Sequence, residues 1–405
     1  MERHFSALAL ILASSPDLPV HCIRPHAAKK AADWFVRRFP GDILYALKAN
    51  PTPAIVDAVY AAGVRSFDVA SMPEIEFIAH RYDNARLAFM HPVKARSAIR
   101  RAYYEFGVRI FAIDSTAELS KILEETGGAK DLRLIVRLAV SSDYAQHKLA
   151  GKFGAAGAEA VMLLREARAV TDELGVSFHV GSQCMRPEAW RSAMAATNSL
   201  IRQAGVTIDI VDVGGGFPAA YPGLTPPPLE HYIAEIEASF EDMPVLENAD
   251  LWCEPGRALC AEAGSHIMRV ELRKGDALYI NDGAYGALFD AAHGGLVYPA
   301  KLLSAPDRPS RPLRPFRLFG PTCDAIDVME GPYLLPADVS EGDYLEFGLT
   351  GAYGGALATK FNGFGDYIDA IVDDAPMMSM YGGVQKQAAN DTAAEISAKS
   401  QTDLL

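Results

Sequence analysis

Between about residues 43 and 254 the chain alternates short apolar, β-branched runs with longer amphipathic stretches, and this alternation restricts the possible folds more than any other feature. The apolar runs cover 43–47, 66–70, 86–90, 109–113, 132–138, 176–180, 208–213 and 250–253. Stretches of helical period, such as 53–62 and 158–174, lie between them. Strands joined by helices in strict alternation run parallel, because each crossover returns the chain to the end of the sheet where the previous strand began. Eight such repeats in a little over 200 residues suit a (β/α)8 barrel of the TIM type better than an open doubly wound sheet.

Beyond residue 256 the pattern changes to strands separated by turns, at 266–272, 277–280, 316–319 and 344–347, each bounded by Gly, Pro or Asp. The reading is therefore a barrel over 20–256 and a β-rich domain over 257–382, completed by residues 1–19. Residues 304–315 hold four prolines and three arginines and are expected as an exposed loop. The polar, aperiodic residues 383–405 are expected as a frayed tail.

Whole-chain properties exclude several function classes. A net charge of -13 leaves no basis for a nucleic-acid groove or a polybasic membrane surface, whereas it favours a small cationic ligand. The five cysteines show no C-x-x-C spacing, which argues against a disulfide framework or a zinc site, and no metal is expected. The apolar run 5–13 lacks a cleavage site and reads as a short helix. No stretch approaches the roughly 20 apolar residues of a membrane span, so a cytoplasmic protein is expected.

In a barrel of this kind reactive residues gather at the C-terminal ends of the strands. Lys48, Asp68, Arg137, His179, Gly214-Gly215-Gly216 and Glu254 all fall at such ends. A lysine closing an apolar strand is either a rim residue in a salt bridge or an amine made reactive by desolvation, able to bond an aldehyde. The glycine triplet is either a tight loop or a cradle of backbone N–H groups for a phosphate. Glu254 and Arg257 are either an internal ion pair or, respectively, the partner of a pyridine nitrogen and of a phosphate dianion. His179 sits where its ring can lie against an aromatic cofactor, with Ser182 close enough in sequence to reach the phosphate. His91 receives no role and is read as a surface residue.

Seven segments carry a resemblance: Tyr45-Ala46-Leu47-Lys48-Ala49-Asn50, Phe67-Asp68-Val69-Ala70-Ser71, Phe178-His179-Val180-Gly181-Ser182, Asp212-Val213-Gly214-Gly215-Gly216-Phe217-Pro218, Glu254-Pro255-Gly256-Arg257, Gly320-Pro321-Thr322-Cys323-Asp324 and Gly351-Ala352-Tyr353. In this order they resemble the motif set of the ornithine/diaminopimelate/arginine decarboxylases, the alanine-racemase-like class of pyridoxal-phosphate enzymes. The resemblance implies a homodimer with two shared active sites and pyridoxal 5'-phosphate as cofactor. It implies that Lys48 binds the cofactor's aldehyde, His179 stacks on the ring and Glu254 bonds its nitrogen. Ser182, Gly214, Gly215, Gly216, Arg257 and Tyr353 would hold the phosphate, with Asp68 and Arg137 supporting the site. Cys323 from the partner subunit would return a proton to the α-carbon.

The same resemblance implies that Asp324 meets the distal group of the substrate. Aspartate there favours a basic L-amino acid, ornithine or lysine, since the diaminopimelate branch resembles Cys followed by Glu. Asp290 is the best match for a second carboxylate, or else a loop cap; Tyr285 and Phe361 would line the same pocket. L-Ornithine to putrescine, in polyamine biosynthesis, is the leading expectation. L-Lysine, L-arginine, a carboxylated polyamine or another amino-acid derivative remain alternatives. Racemisation is disfavoured by the Cys323-Asp324 pair, and a non-catalytic regulator by the presence of the whole cofactor set.

Overall fold

All eight apolar runs become strands, and the strands close on themselves. They are Asp42–Ala46, Ser66–Val69, Arg86–Phe89, Ile110–Ile113, Arg133–Arg137, Glu173–Ser177, Ile208–Asp212 and Val245–Cys253, parallel and paired in chain order. Closure occurs where Trp252 and Cys253 of the last strand pair with Asp42 and Ile43 of the first. Side chains from alternate positions fill the interior, among them Leu44, Met90, Ile110, Ile135, Ile210 and Trp252. The computed structural model describes residues 1–148, 151–305, 308–309 and 311–382, so the expected tail at 383–405 lies outside the described residues.

Two boundaries move for physical reasons. The helix expected over 158–174 is Gly157–Val170, because Thr171 turns to an extended backbone (φ -128, ψ 147) and Leu174 already belongs to the next strand. That strand ends at Ser177 and not at 180: Phe178 and Val180 are buried in the following turn, so their apolar character continues the pattern past the end of the ladder. The first strand likewise stops at Ala46, and Leu47–Ala49 form a single 3₁₀ turn.

The chain divides into two compact units, one of residues 31–218 and 227–259, which contains the barrel, and one of residues 1–30, 219–226 and 260 onward. The barrel unit thus begins later than residue 20. Val20–Ile23 joins the nine-stranded sheet of the other unit, antiparallel to Gly264–Lys274 and parallel to Ile368–Val372. The helix expected at 5–13 is Ala7–Ser14, capped by the Ser6 side chain. The Pro/Arg segment expected as a loop over 304–315, of which 306, 307 and 310 lie outside the described residues, yields its last three residues, Leu313 to Pro315, to the strand Leu313–Phe319. No described helix is long and apolar enough to cross a membrane.

A buried ion network ties this sheet together. Arg24, 2% exposed, donates to Glu346 at 2.8 Å and to Ser265 at 2.7 Å, and pairs with Asp374 at 2.7 Å. Replacing Arg24 by methionine leaves the fully buried Glu346 with the half-exposed Lys301 as its counter-ion among the described residues. Arg24→Met should lower the unfolding free energy by about 3 kcal/mol in a denaturant titration.

Candidate active site

Lys48 stands in the 3₁₀ turn that follows the first barrel strand, pinned from below by the Tyr45 hydroxyl, which donates to Asn50 O at 2.9 Å. Its Nζ donates to Asp68 Oδ2 at 2.5 Å; the amine is half exposed and the carboxylate 2% exposed. The salt-bridge reading of Lys48 is thus realised, and it is compatible with the reactive one. A buried carboxylate orients the amine, and half exposure leaves it reachable.

The eighth strand delivers its corner against this turn. A Cβ on Gly256 would lie 2.9 Å from Ala49 Cβ and 3.2 Å from Ala46 Cβ, so only glycine lets the Glu254–Arg257 corner pack so closely on the Lys48 turn. Ala46 N–H donates to Pro255 O at 3.4 Å. Arg257 Nη2 donates to Ser182 Oγ at 3.4 Å, joining two of the residues expected at the phosphate.

The glycine triplet is required by close approach. A Cβ at Gly214 (φ +66) would fall 2.0 Å from Phe178 O, and one at Gly215 would lie 2.6 Å from Glu254 O and 3.1 Å from His179 Nε2. The turn therefore touches both His179 and Glu254, and Glu254 N–H donates to Gly214 O at 2.9 Å. Gly181 N–H donates to His179 Nδ1 at 3.0 Å, so the neutral imidazole carries its proton on Nε2, toward the glycine turn.

Burial and two cations set the protonation states. Burial first, then Arg137 and Lys48, hold the His179 pKa well below the ordinary histidine range. Burial, then the carboxyls of Asp212 and Asp68, hold Glu254 well above the usual carboxylate range. Asp212, buried at the end of the seventh strand with its Oδ1 accepting from Gly214 N–H at 2.8 Å, is pushed up to about 6, chiefly by burial.

Two neighbours of the cofactor set had no assigned role from the sequence. Asp212 was visible only as part of the glycine motif; a carboxylate ending an apolar strand is the signal that marks it. Glu74 accepts from Ala70 N–H at 2.6 Å and lies within electrostatic reach of Asp68 and Lys48. Its spacing, Ser71-Met72-Pro73-Glu74, reads as a helix capping box, which hides it.

In the β-rich unit a second set comes together. Tyr285 donates its hydroxyl to Asp324 Oδ2 at 2.5 Å, and its ring lies 4.6 Å from that of Phe361. Cys323, exposed, donates its N–H to Asn362 Oδ1 at 3.1 Å. The Tyr285 hydroxyl and the Ile326 N–H hold Asp324 below the usual carboxylate pKa, hence ionised. Asp290 is buried in the short helix Phe289–His293, where its carbonyl accepts from Gly294 N–H. Tyr353 follows Gly351 in a turn with φ 56. His91 is half buried at the rim, edge-on to Phe153 at 5.2 Å, and its Nδ1 accepts from Val93 N–H.

The barrel residues fit pyridoxal phosphate on observations independent of any likeness. Glu254 Oε1 is buried with no hydrogen-bond partner among the described residues, an acceptor that a protonated ring nitrogen satisfies. The glycine turn, Ser182 and Arg257 offer N–H, O–H and guanidinium donors suited to a phosphate, and Lys48 offers an amine to an aldehyde. The fold and this set define a barrel enzyme that works through a phosphate-bearing aldehyde cofactor.

A family model described as the pyridoxal binding domain of pyridoxal-dependent decarboxylases matches residues 25–261. The lysine/ornithine decarboxylase of Selenomonas ruminantium is 32% identical over 348 residues, 82% of this chain and 84% of the relative. Antizyme inhibitor 2 of Xenopus laevis is 31% identical over 354 residues, 79% of this chain and 73% of the relative. The crystal structure of the Paramecium bursaria Chlorella virus arginine decarboxylase bound to agmatine superposes with a TM-score of 0.78 at 27% identity, covering 90% of this chain and 98% of that one. The chain belongs to the pyridoxal-dependent decarboxylase family and is a pyridoxal-phosphate enzyme of that kind.

The raised Asp212 carboxyl has a measurable consequence in the cofactor-free protein. Its folded pKa of about 6 exceeds the ordinary 3.8, so the native state holds the proton longer than the unfolded state. Stability from this group is therefore lost as pH rises from about 4 to about 6 and returns on acidification. His179, held neutral, acts in the opposite sense as pH falls. Asp212→Asn should flatten the decline between these pH values, read as the difference from wild type in denaturant midpoints.

Proposed function

We propose that the protein decarboxylates a basic L-amino acid, with L-ornithine to putrescine as its reaction in polyamine biosynthesis. The observation that carries this reading is the ionised Asp324 carboxylate beside Cys323, accepting from the hydroxyl of Tyr285, whose ring packs on that of Phe361. A carboxylate on an aromatic wall suits a terminal ammonium carried on a short methylene chain. The chain's net charge of -13 favours the same cationic substrate.

When bound, the cofactor supplies a conjugated ring that takes up the electron pair left behind by departing CO2. Lys48 would hold the aldehyde of the cofactor, with Asp68 keeping its amine in position. Glu254 keeps a proton at the ring nitrogen, and its buried setting makes that pairing strong. His179, neutral, would pack against the ring, and Arg137 balances the acids around it. The glycine triplet, Ser182, Arg257 and Tyr353 hold the phosphate.

The protein acts as a cytoplasmic homodimer in which Cys323 and Asp324 serve the partner's site. Cys323 returns a proton to the α-carbon once CO2 has left. Asp324, with Asp290, Tyr285 and Phe361, selects the distal group. L-Lysine is the nearest alternative substrate, in keeping with the relative named as a lysine/ornithine decarboxylase. L-Arginine follows, in keeping with the arginine decarboxylase of similar fold. A non-catalytic regulatory role, in keeping with the relative named as an antizyme inhibitor, predicts no CO2 release from any amino acid.

A CO2-release screen over ornithine, lysine, arginine, diaminopimelate and carboxynorspermidine tests the reading, with turnover expected first on ornithine. Lys48→Ala should abolish both the visible absorption band of the bound cofactor and CO2 release. Asp324→Ala should raise KM for ornithine by roughly tenfold, as expected for losing a charge-assisted pair, while cofactor affinity stays unchanged. Equal loss of cofactor affinity would show that Asp324 does not face the substrate.

A further inference from the structure

The strands Val20–Ile23 and Gly264–Lys274 bring His21 and His266 directly opposite one another. The rings stack at 4.7 Å, 8° from parallel, with His266 fully buried and His21 6% exposed. Nδ1 of His21 meets Asp369 Oδ1 at 3.0 Å, and Nδ1 of His266 meets Thr350 Oγ1 at 2.8 Å. Both Nε2 atoms are buried without a hydrogen-bond partner among the described residues. Tyr367 packs edge-on against His266 at 5.3 Å and gives its hydroxyl to Asp282.

Two unsatisfied ring nitrogens inside a sheet are costly, and a phenylalanine would fill the place of His266 without that cost. The use that offsets it is the side-chain hydrogen bond between His266 and Thr350. Burial, then the facing His21, hold the His266 pKa well below the ordinary range, so this bond persists with the ring neutral.

Thr350 opens the turn that carries Gly351, Ala352 and Tyr353. That turn is forced: Leu349 (φ 60) and Tyr353 (φ 56) are both non-glycine residues in the left-handed region. A Cβ at Gly351 would fall 2.0 Å from Cys260 O, and one at Gly354 would fall 2.3 Å from Thr350 O. On one side the turn is held by Gly351 N–H donating to Ala261 O at 3.2 Å. On the other the His266–Thr350 bond holds it.

We propose that His266, acting through Thr350, is a positioning residue for the Gly351–Tyr353 turn and so sets how tightly the protein grips the phosphate of its cofactor. The inference rests on the reading that Tyr353 contacts that phosphate. Neither His266 nor Thr350 touches the reacting atoms.

The test measures dissociation constants of the reconstituted full-length protein for pyridoxal 5'-phosphate and for pyridoxal, which lacks the phosphate. Thr350→Val removes the hydroxyl at nearly constant shape, and His266→Phe keeps the stacked ring. Each should weaken pyridoxal 5'-phosphate binding roughly five- to tenfold, the loss of one hydrogen bond, and leave pyridoxal binding and the far-UV dichroism unchanged. Should His266→Phe fail to fold, Thr350→Val decides alone. Tyr353→Phe is measured beside them. If it weakens phosphate-dependent binding while Thr350→Val does not, the inference fails by itself. Equal losses for both ligands in Thr350→Val also overturn it. If Tyr353→Phe binds like wild type, the phosphate reading fails and the inference falls with it.

Discussion

The pairing of the last barrel strand with the first is the constraint on which the candidate site depends. Trp252 and Cys253 lie beside Asp42 and Ile43, so the residues that leave these strands emerge side by side. Glu254 and Lys48, far apart in sequence, are thereby delivered to neighbouring turns, with Gly256 allowing the two turns to touch. An open sheet with the same eight strands would leave them at opposite edges. Closure converts an ordered set of motifs into one chemical site.

Burial then sorts the charges that closure has gathered. Burial moves Glu254, Asp212 and His179 each toward its neutral form. Lys48 and Asp68 pair with each other, the carboxylate buried and the amine half exposed. An acceptor without a donor, Glu254 Oε1, sits within this neutral region. Such a site rewards a ligand that brings a protonated ring nitrogen, and it leaves the amine as the one reachable nucleophile of the pair.

Much of this was legible in the sequence because strand periodicity and strand-end chemistry are local properties. The eight runs, Lys48, Asp68, His179, the glycine triplet and the Glu254–Arg257 corner could be placed from pattern alone. Strand ends were less legible where burial outlasts hydrogen bonding, as at Phe178 and Val180. Val20–Ile23 finds its partners in Gly264–Lys274 and Ile368–Val372, and cross-strand pairing at such separation leaves no mark in a short window. Asp212, Glu74 and the His21–His266 stack escaped for a related reason: each acquires its meaning from a neighbour that only the folded chain supplies.

Reductive trapping tests the central claim most directly. Borohydride treatment of the cofactor-loaded protein, followed by proteolysis and mass analysis, should place the pyridoxyl group on the peptide containing Lys48 and nowhere else. A label on another lysine, or a loaded protein that borohydride leaves unmodified, would contradict the account.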